Sequence, residues 1–113
     1  MDCEFITADM PMPVCMLFPK ALVTLSISNT AKIMYCMILD AVLNSGIKDE
    51  NGTLFIYFPL TELAADISKC IMTVGRYLNE LEKAGLIMRI RQEFGKPNRI
   101  YVLVPKKENW YES

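Results

Sequence analysis

The sequence predicts an α+β fold, and three observations along the chain carry that prediction. A long apolar helical pattern covers about residues 28–44. A pair of shorter helical patterns follows over residues 60–84, and the second of them stops before Gly85. Alternating apolar and basic residues then flank a turn rich in glycine and proline, which indicates a two-stranded hairpin. The 113 residues are enough for one core.

The domain itself is predicted to span residues 13–105. Residues 1–12 show no clear period, and we interpret them as an arm with little fixed structure. Residues 13–25 mix apolar residues with Pro19 and Lys20, which predicts an extended segment and a short turn over the core. Residues 106–113 are predicted to be a polar tail or linker.

The first helix has a start signal and a stop signal. Ser28 or Asn29 can cap its N-terminus, and Gly46 follows its predicted end at about Asn44. Its polar residues form one stripe at a spacing of four: Lys32, Cys36, Asp40 and Asn44. A stripe this narrow predicts burial over most of the circumference. The helix is then either the central core helix or a core helix that also faces a partner subunit.

The middle of the chain predicts a strand and two helices. A turn at residues 49–52 leads into an aromatic and β-branched strand over residues 54–58. A short helix over residues 60–66 and a tight connection at 67–69 come next. The second helix covers about residues 70–84, and its apolar face consists of Ile71, Val74, Leu78 and Leu81.

The last predicted element is the hairpin. Its first strand alternates between Leu86, Met88, Ile90 on the face predicted to be inner and Ile87, Arg89, Arg91 on the face predicted to be outer. The turn covers residues 93–98, and the return strand alternates between Ile100, Val102, Val104 and Arg99, Tyr101, Leu103. This order of elements predicts a winged helix-turn-helix, with a three-helix core, a short strand and a two-stranded wing. In such folds the second helix of the pair lies in the DNA major groove.

Charge is unevenly distributed along the chain. The net charge is −1 overall, yet residues 1–66 hold three lysines and eight acidic residues, whereas residues 83–107 hold seven basic residues and one acidic residue. A basic third on an otherwise acidic chain is a localised electrostatic footprint, as expected for a nucleic-acid binder.

Composition argues against other classes of protein. The chain has no histidine, and its four cysteines form no CxxC pair, so neither a metal site nor a histidine-dependent enzyme is predicted. No phosphate-binding loop or other cofactor motif occurs. The longest apolar run, residues 33–43, is too short to cross a bilayer, and the acidic start of the chain does not resemble a targeting segment. We therefore expect a cytoplasmic protein that is not an enzyme.

Eight residues are candidates for contact with DNA: Lys69, Met72, Thr73, Arg76, Arg89, Arg91, Lys96 and Arg99. An arginine at position 76 can read a guanine, or it can pair with Glu80 one turn later. The hairpin cations can neutralise phosphates, or they can guard an exposed strand edge. Lys69 can bind a phosphate in the connection between the helices, or it is an ordinary surface lysine.

Residues 13–105 resemble a known family. The matching segments are Phe18–Leu22 (FPKAL), Asn29–Lys32 (NTAK), Asp49–Gly52 (DENG), Leu78–Ile87 (LNELEKAGLI) and Gly95–Val102 (GKPNRIYV). The first and last of these are the more particular, because the helix-to-strand segment at 78–87 is common to many winged helices. On these segments the chain resembles the N-terminal domain of the replication initiator protein A family, which is found on plasmids and related mobile elements.

The resemblance implies a function. It implies sequence-specific binding of double-stranded DNA at repeated origin sites, commonly as a homodimer, with a second domain that engages host replication proteins. One departure is that the second helix opens with Cys70, Ile71 and Met72, where the family tends to have polar residues. Loss of base reading is therefore an alternative, in which the chain is a protein-interaction or dimerisation module with weak or no DNA binding. A second alternative is a transcriptional regulator of the same fold.

Overall fold

The computed structural model describes residues 2–11, 14–57, 71–92 and 95–104, except for the side chains of residues 71 and 72. In this part, two α-helices accompany a three-stranded antiparallel sheet, so the fold is mixed α and β. The elements are a 3₁₀ helix Lys20–Thr24, α1 Asn29–Ser45, β1 Ile56–Tyr57, α2 Ile71–Lys83, β2 Ile87–Ile90 and β3 Arg99–Val102. The predicted helix over 60–66, the connection with Lys69 and the tail over 106–113 lie outside these residues.

Helix α1 begins and ends as its sequence predicts. The Ser28 hydroxyl accepts a hydrogen bond from the Ala31 backbone N–H at 3.2 Å, which makes Ser28 the N-cap. Gly46 ends the helix in the left-handed conformation at φ 66°, which a residue without a Cβ adopts at little cost. Both predicted ends of the helix are confirmed.

The exposed face of α1 differs from the predicted stripe. Lys32 and Cys36 are buried, whereas Ile33 and Leu43 are about half exposed, so the prediction that the polar stripe faces solvent is wrong at its first two positions. For Lys32 the reason is a bond to the 3₁₀ helix, because its Nζ donates to the Val23 backbone carbonyl at 3.1 Å and the buried ammonium group thereby keeps a hydrogen-bond partner.

The sheet has the strand order β1-β3-β2, with β3 in the middle. Ile100 on β3 lies opposite both Ile56 on β1 and Arg89 on β2. Residues directly opposite one another in an antiparallel pair point to the same face of the sheet. Ile56, Arg89 and Ile100 therefore share the inner face, which covers the helices.

The junction between α2 and β2 is a Schellman motif. Gly85 adopts φ 79°, its N–H donates to the Glu82 carbonyl at 3.0 Å, and the Leu86 N–H donates to the Leu81 carbonyl at 3.0 Å. Leu81 and Leu86 are both buried, as expected for the hydrophobic contact that accompanies this motif. The predicted stop at Gly85 is confirmed.

This motif also shifts the alternation of the hairpin. Leu86 belongs to the turn, because its N–H bonds to the Leu81 carbonyl. The alternation of the strand therefore starts at Ile87, which is buried. Met88 and Ile90 are exposed, and Arg89 lies on the inner face between them. The prediction that Met88 and Ile90 face the core and that Arg89 faces outward is therefore wrong. On β3 the prediction holds, because Ile100 is fully buried.

The core lies between α1, α2 and the inner face of the sheet. Its fully buried side chains include Leu22, Met34, Tyr35, Leu78, Leu81 and Ile100. Tyr35 is buried as a ring, and its hydroxyl donates to the Leu103 carbonyl at 3.0 Å just after β3. This bond satisfies the one polar atom of the side chain and fixes α1 against the end of the central strand.

Candidate functional site

The outer side of α2 carries polar and basic residues. Val74, Leu78 and Leu81 are buried against the core, whereas Arg76 and Lys83 are exposed and Thr73 is half-buried. This division follows the period of an amphipathic helix. Arg76, Tyr77, Asn79, Glu80 and Lys83 line one surface depression of about 500 Å³. The backbone of Met72 belongs to the first turn of α2.

Glu80, on this side of α2, is hydrogen-bonded to the start of α1 and not to Arg76. Its two carboxylate oxygens accept hydrogen bonds from Ser28, one from the backbone N–H at 2.9 Å and one from the hydroxyl at 2.8 Å. No ion pair of Arg76 is found within the described part of the chain. Of the two interpretations of Arg76, the pair with Glu80 is therefore not seen, and its guanidinium is exposed to solvent.

Arg89 joins the hairpin to α2. Its guanidinium forms an ion pair with Glu82 at 2.8 Å, its backbone N–H donates to the same carboxylate at 3.1 Å, and its Nη2 also donates to Asn79 Oδ1 at 2.5 Å. The hydrogen bonds from Arg89, its side-chain bond first, hold the pKa of Glu82 below its ordinary value. Arg89 therefore holds the hairpin against α2 from the inner face of the sheet.

Arg99 is held on the opposite, outer face of the sheet. Its guanidinium carbon lies 4.5 Å from the centre of the Phe55 ring, in cation–π geometry, and Nη1 contacts the Tyr101 hydroxyl at 3.4 Å. The Phe55 ring in turn contacts Tyr57 and Tyr101. Arg99 Nε is buried without a hydrogen-bond partner among the described residues. The guanidinium of Arg99 is thus held against an aromatic cluster of Phe55, Tyr57 and Tyr101.

Asp49 organises the loop beside this cluster. Its carboxylate accepts from the backbone N–H groups of Asn51 and Thr53 at 2.9 and 3.0 Å, and from the Tyr101 hydroxyl at 3.0 Å. The Thr53 backbone bond is the largest of several causes that lower the pKa of Asp49. The loop before β1 is therefore fastened to the middle strand of the sheet.

Basic residues remain exposed near the hairpin turn. Arg91 and Lys96 are both exposed, and Gln92 Nε2 donates to the Pro97 carbonyl at 2.6 Å across the turn. A second depression of about 500 Å³ is lined by Asp49, Glu50, Ile90, Arg91, Gln92, Lys96, Arg99 and Tyr101. Three of the predicted cations thus meet at one place, together with two acidic side chains.

The structure divides the eight predicted residues into groups. Arg91, Lys96 and Arg99 line the depression beside the hairpin, and Arg76 lines the depression on α2. Arg89 is engaged between the two elements. Lys69 and the side chain of Met72 lie outside the described residues. Asn79 and Lys83 were missed by the sequence analysis, although their spacing of three and seven residues from Arg76 was a usable signal.

No group of cysteine and acidic side chains in the described ranges is arranged to hold a metal ion. No helix there is long and apolar enough to cross a membrane. Burial raises the pKa of the Cys36 thiol, in keeping with its place in the core.

Three solved structures share this fold. A chain described as "N-Terminal domain of DNA binding protein" has a TM-score of 0.72 at 18% identity, over 97% of this chain and 92% of that one. One described as "Structure of Rep-DNA complex" has a TM-score of 0.73 at 20% identity, over 96% and 90%. One described as "Structure of MDR initiator" has a TM-score of 0.70 at 21% identity, over 96% and 93%.

Sequence comparison identifies the family. No curated protein matches the chain. The family model for the N-terminus of replication initiator protein A (RepA), however, matches residues 15–110. That range includes α1, α2, the whole sheet and both surface depressions. The chain therefore belongs to the family of replication initiator protein A (RepA) N-terminal domains.

Proposed function

We propose that this chain is a winged helix-turn-helix domain that binds double-stranded DNA for replication initiation. In this proposal the helix over about 70–84 enters the major groove, and the hairpin turn over 93–98 is the wing, which lies on the phosphate backbone or in the minor groove. Family membership supports the role in initiation. The fold shared with a chain described as "Structure of Rep-DNA complex" supports the mode of binding.

One observation carries the proposal: exposed cations lie on two elements that an internal ion pair fastens together. Arg76 and Lys83 are exposed on α2, and Arg91 and Lys96 are exposed beside the hairpin turn. The pair between Glu82 and Arg89 links these elements at 2.8 Å. A duplex requires that the groove-reading helix and the backbone contacts keep a fixed relation, because phosphate contacts set the register for base contacts.

Roles within this surface follow from chemistry and position. Arg76 is the best candidate to read a base, because its exposed fork of donors matches the O6 and N7 acceptors of guanine. Thr73, Met72 and Lys69 belong to the start of the helix or precede it, where contacts with base edges and phosphates are expected. Arg91, Lys96, Lys83 and the partly engaged Arg99 supply attraction to phosphates, which gives affinity and little sequence information.

A homodimer on repeated origin sites is part of the same proposal. Large apolar side chains are exposed on α1, at Ile33 and Leu43, and in the segment before it, at Leu17, Phe18 and Val23. A two-fold dimer formed through these faces would set half-sites about one duplex turn apart, or a multiple of it. Sedimentation equilibrium with Ile33→Glu and Leu43→Glu variants tests this part, and parent-like self-association by both variants would contradict it.

The proposed function is tested by nuclease protection on the DNA that flanks the gene, with the protein titrated at two salt concentrations. We expect protected repeats, with an affinity that falls steeply as salt rises, by a slope of about 0.9 per phosphate neutralised. Absence of protection at low salt, from a folded protein, would reject the proposal and favour a protein-interaction module. Protection of an operator with no origin activity would favour a transcriptional regulator.

A further inference from the structure

One side-chain amide at the contact between α2 and β2 has been given no role so far. Asn79 is exposed on α2, and its Oδ1 accepts a hydrogen bond from Arg89 Nη2 at 2.5 Å. Arg89 is itself fixed by Glu82, through Nη2 at 2.8 Å, Nε at 3.3 Å and its backbone N–H at 3.1 Å. Two guanidinium bonds and one backbone bond to the same carboxylate leave Arg89 little freedom, so the amide beside it is held as well.

The partner decides which way this amide is turned. A guanidinium has only donors, so the atom of Asn79 that meets it must be the acceptor Oδ1 and not Nδ2. The two N–H groups of Nδ2 then point away from Arg89. Asn79 also lines a surface depression together with Arg76 and Lys83.

Both acidic side chains of this region are engaged elsewhere. Glu80 accepts two hydrogen bonds from Ser28, and Glu82 is paired with Arg89. Besides Glu80, the depression is lined by the cations Arg76 and Lys83, the amide of Asn79 and the side chain of Tyr77. The two cations and the amide N–H groups are donors, which favours a ligand that offers acceptor atoms with negative charge.

The path of a bound duplex supplies that ligand. If α2 lies in a major groove and the hairpin lies on the neighbouring backbone or minor groove, the phosphate strand that separates the two grooves must pass between them. Asn79 and Arg89 join α2 to β2 at this point. An adenine, which needs both a donor and an acceptor from one amide, fits less well because Arg89 already occupies Oδ1.

We propose that Asn79 donates to a DNA phosphate where α2 meets the hairpin, and that Arg89 is a positioning residue that orients the Asn79 amide for this contact. The proposal deepens the proposed function and rests on it. It also changes the role predicted for Arg89, which acts through Asn79 and does not itself neutralise a phosphate.

The first test is the Asn79→Asp variant. A carboxylate is nearly the same size as the amide and can accept from Arg89 more strongly, so the melting temperature is expected to stay the same or rise. DNA affinity is expected to fall by about tenfold or more, because both donors are lost and a negative charge faces the phosphate. A residue that only braces α2 against β2 would show no such loss of affinity.

The control is Ala8→Asp, which adds the same unit of negative charge at an exposed position near the N-terminus. We expect this control to bind DNA within about twofold of the parent, because residue 8 belongs neither to the proposed DNA surface nor to the proposed dimer faces. If Asn79→Asp and Ala8→Asp lower the affinity equally, the effect is one of net charge and the proposal is wrong.

The second test uses Asn79→Ala with ethylation interference. We expect a loss of about fivefold with an unchanged salt slope, because a neutral amide releases no counterion. Interference at one phosphate between the two grooves should disappear in the variant. Interference at that phosphate identical to the parent's would overturn the proposal.

The positioning role of Arg89 is tested with Arg89→Lys, which keeps the charge but cannot hold both Glu82 and Asn79. Affinity should fall toward that of Asn79→Ala with the slope unchanged, and the double variant should lose little more. Additive losses would contradict positioning through Asn79. A parent that protects DNA while all Asn79 variants bind normally refutes this inference alone, whereas a parent that binds no DNA refutes the proposed function as well.

Discussion

Glu80 on α2 accepts two hydrogen bonds from Ser28, the residue that caps the N-terminus of α1. Ser28 therefore has two tasks, because its hydroxyl also accepts from the Ala31 backbone N–H. The Ser28 backbone N–H would otherwise have no partner inside α1, and Glu80 supplies one. The start of one helix is thereby fixed to the outer side of the other.

Removal of the cap is expected to weaken the whole domain. Ser28→Ala should lower the free energy of unfolding by about 1–2 kcal/mol, because an N-cap bond and a bond to a charged group are lost together. Urea titration followed by circular dichroism measures the change. Ser26→Ala, at an exposed serine before the cap, serves as the control and should change stability little. Equal effects of the two substitutions would mean that the contact with Glu80 does not stabilise the fold.

Substitution of alanine for Gly75 and for Gly85 should change the stability of the protein in opposite directions. Gly75 lies inside α2 with nothing within 4 Å of an added Cβ, so Gly75→Ala should stabilise the protein by about 0.5–1 kcal/mol. Gly85 also has open space around it, but its φ of 79° strains any residue with a Cβ. Gly85→Ala should therefore cost about 1–2 kcal/mol.

Thermal unfolding of the two variants checks this pair. Because neither added methyl group meets another atom, steric clash cannot explain a difference between them. The sign of each shift in melting temperature then reports backbone conformation alone. A stabilised Gly85→Ala variant would show that the turn after α2 is not held in the left-handed conformation.

Patterns with a local cause were predictable from sequence. The ends of α1 follow from Ser28 and Gly46, and the end of α2 follows from Gly85, because each signal acts within one turn of the chain. The pairing of β2 with β3 as a hairpin also follows, and strand alternation on β3 places Ile100 in the core as expected.

Contacts between distant segments were not predictable in the same way. The two faces of β2 were assigned the wrong way round. Alternation of apolar and basic residues does not show that Leu86 belongs to the turn after α2 and not to the strand. Arg89 consequently looked like a surface cation, although it pairs with Glu82. The partner of Glu80 is 52 residues away in the chain, so helical spacing suggested Arg76 in its place.

Acid is expected to destabilise the fold through Glu82 and Asp49. The pKa of each lies below its ordinary value, for Glu82 through hydrogen bonds from Arg89 and for Asp49 through the Thr53 backbone N–H first. A carboxylate with a lowered pKa in the folded state stabilises above its unfolded pKa, and this contribution is lost as pH falls through the folded value. The free energy of unfolding should therefore decline below about pH 4.5, the ordinary value for Glu82.

Glu82→Gln separates the contribution of this pair. It should lower stability at pH 7 by less than about 1 kcal/mol, since both side chains are partly exposed, and it should flatten the decline toward pH 3. Urea midpoints at pH 7 and pH 3 give both quantities. Glu50→Gln, at an exposed glutamate in the turn before β1, is the control for the loss of one carboxylate. The prediction is wrong if Glu82→Gln declines as steeply as the parent.

Cations on the two elements proposed to face DNA should differ in what they contribute to binding. Arg91→Ala and Lys96→Ala each remove one proposed phosphate contact, so each should lower the salt slope by about 0.9 while target and random DNA weaken together. Arg76→Ala should lower the affinity for target DNA by about tenfold. It should also reduce the ratio of the affinities for target and random DNA, because base contacts carry sequence information. Fluorescence anisotropy over a salt series measures slope and preference for each variant. Lys20→Ala, which removes an exposed lysine from the 3₁₀ helix, controls for net charge and should leave both unchanged. Unchanged binding in all three DNA-facing variants would mean that the duplex lies on another face of the molecule.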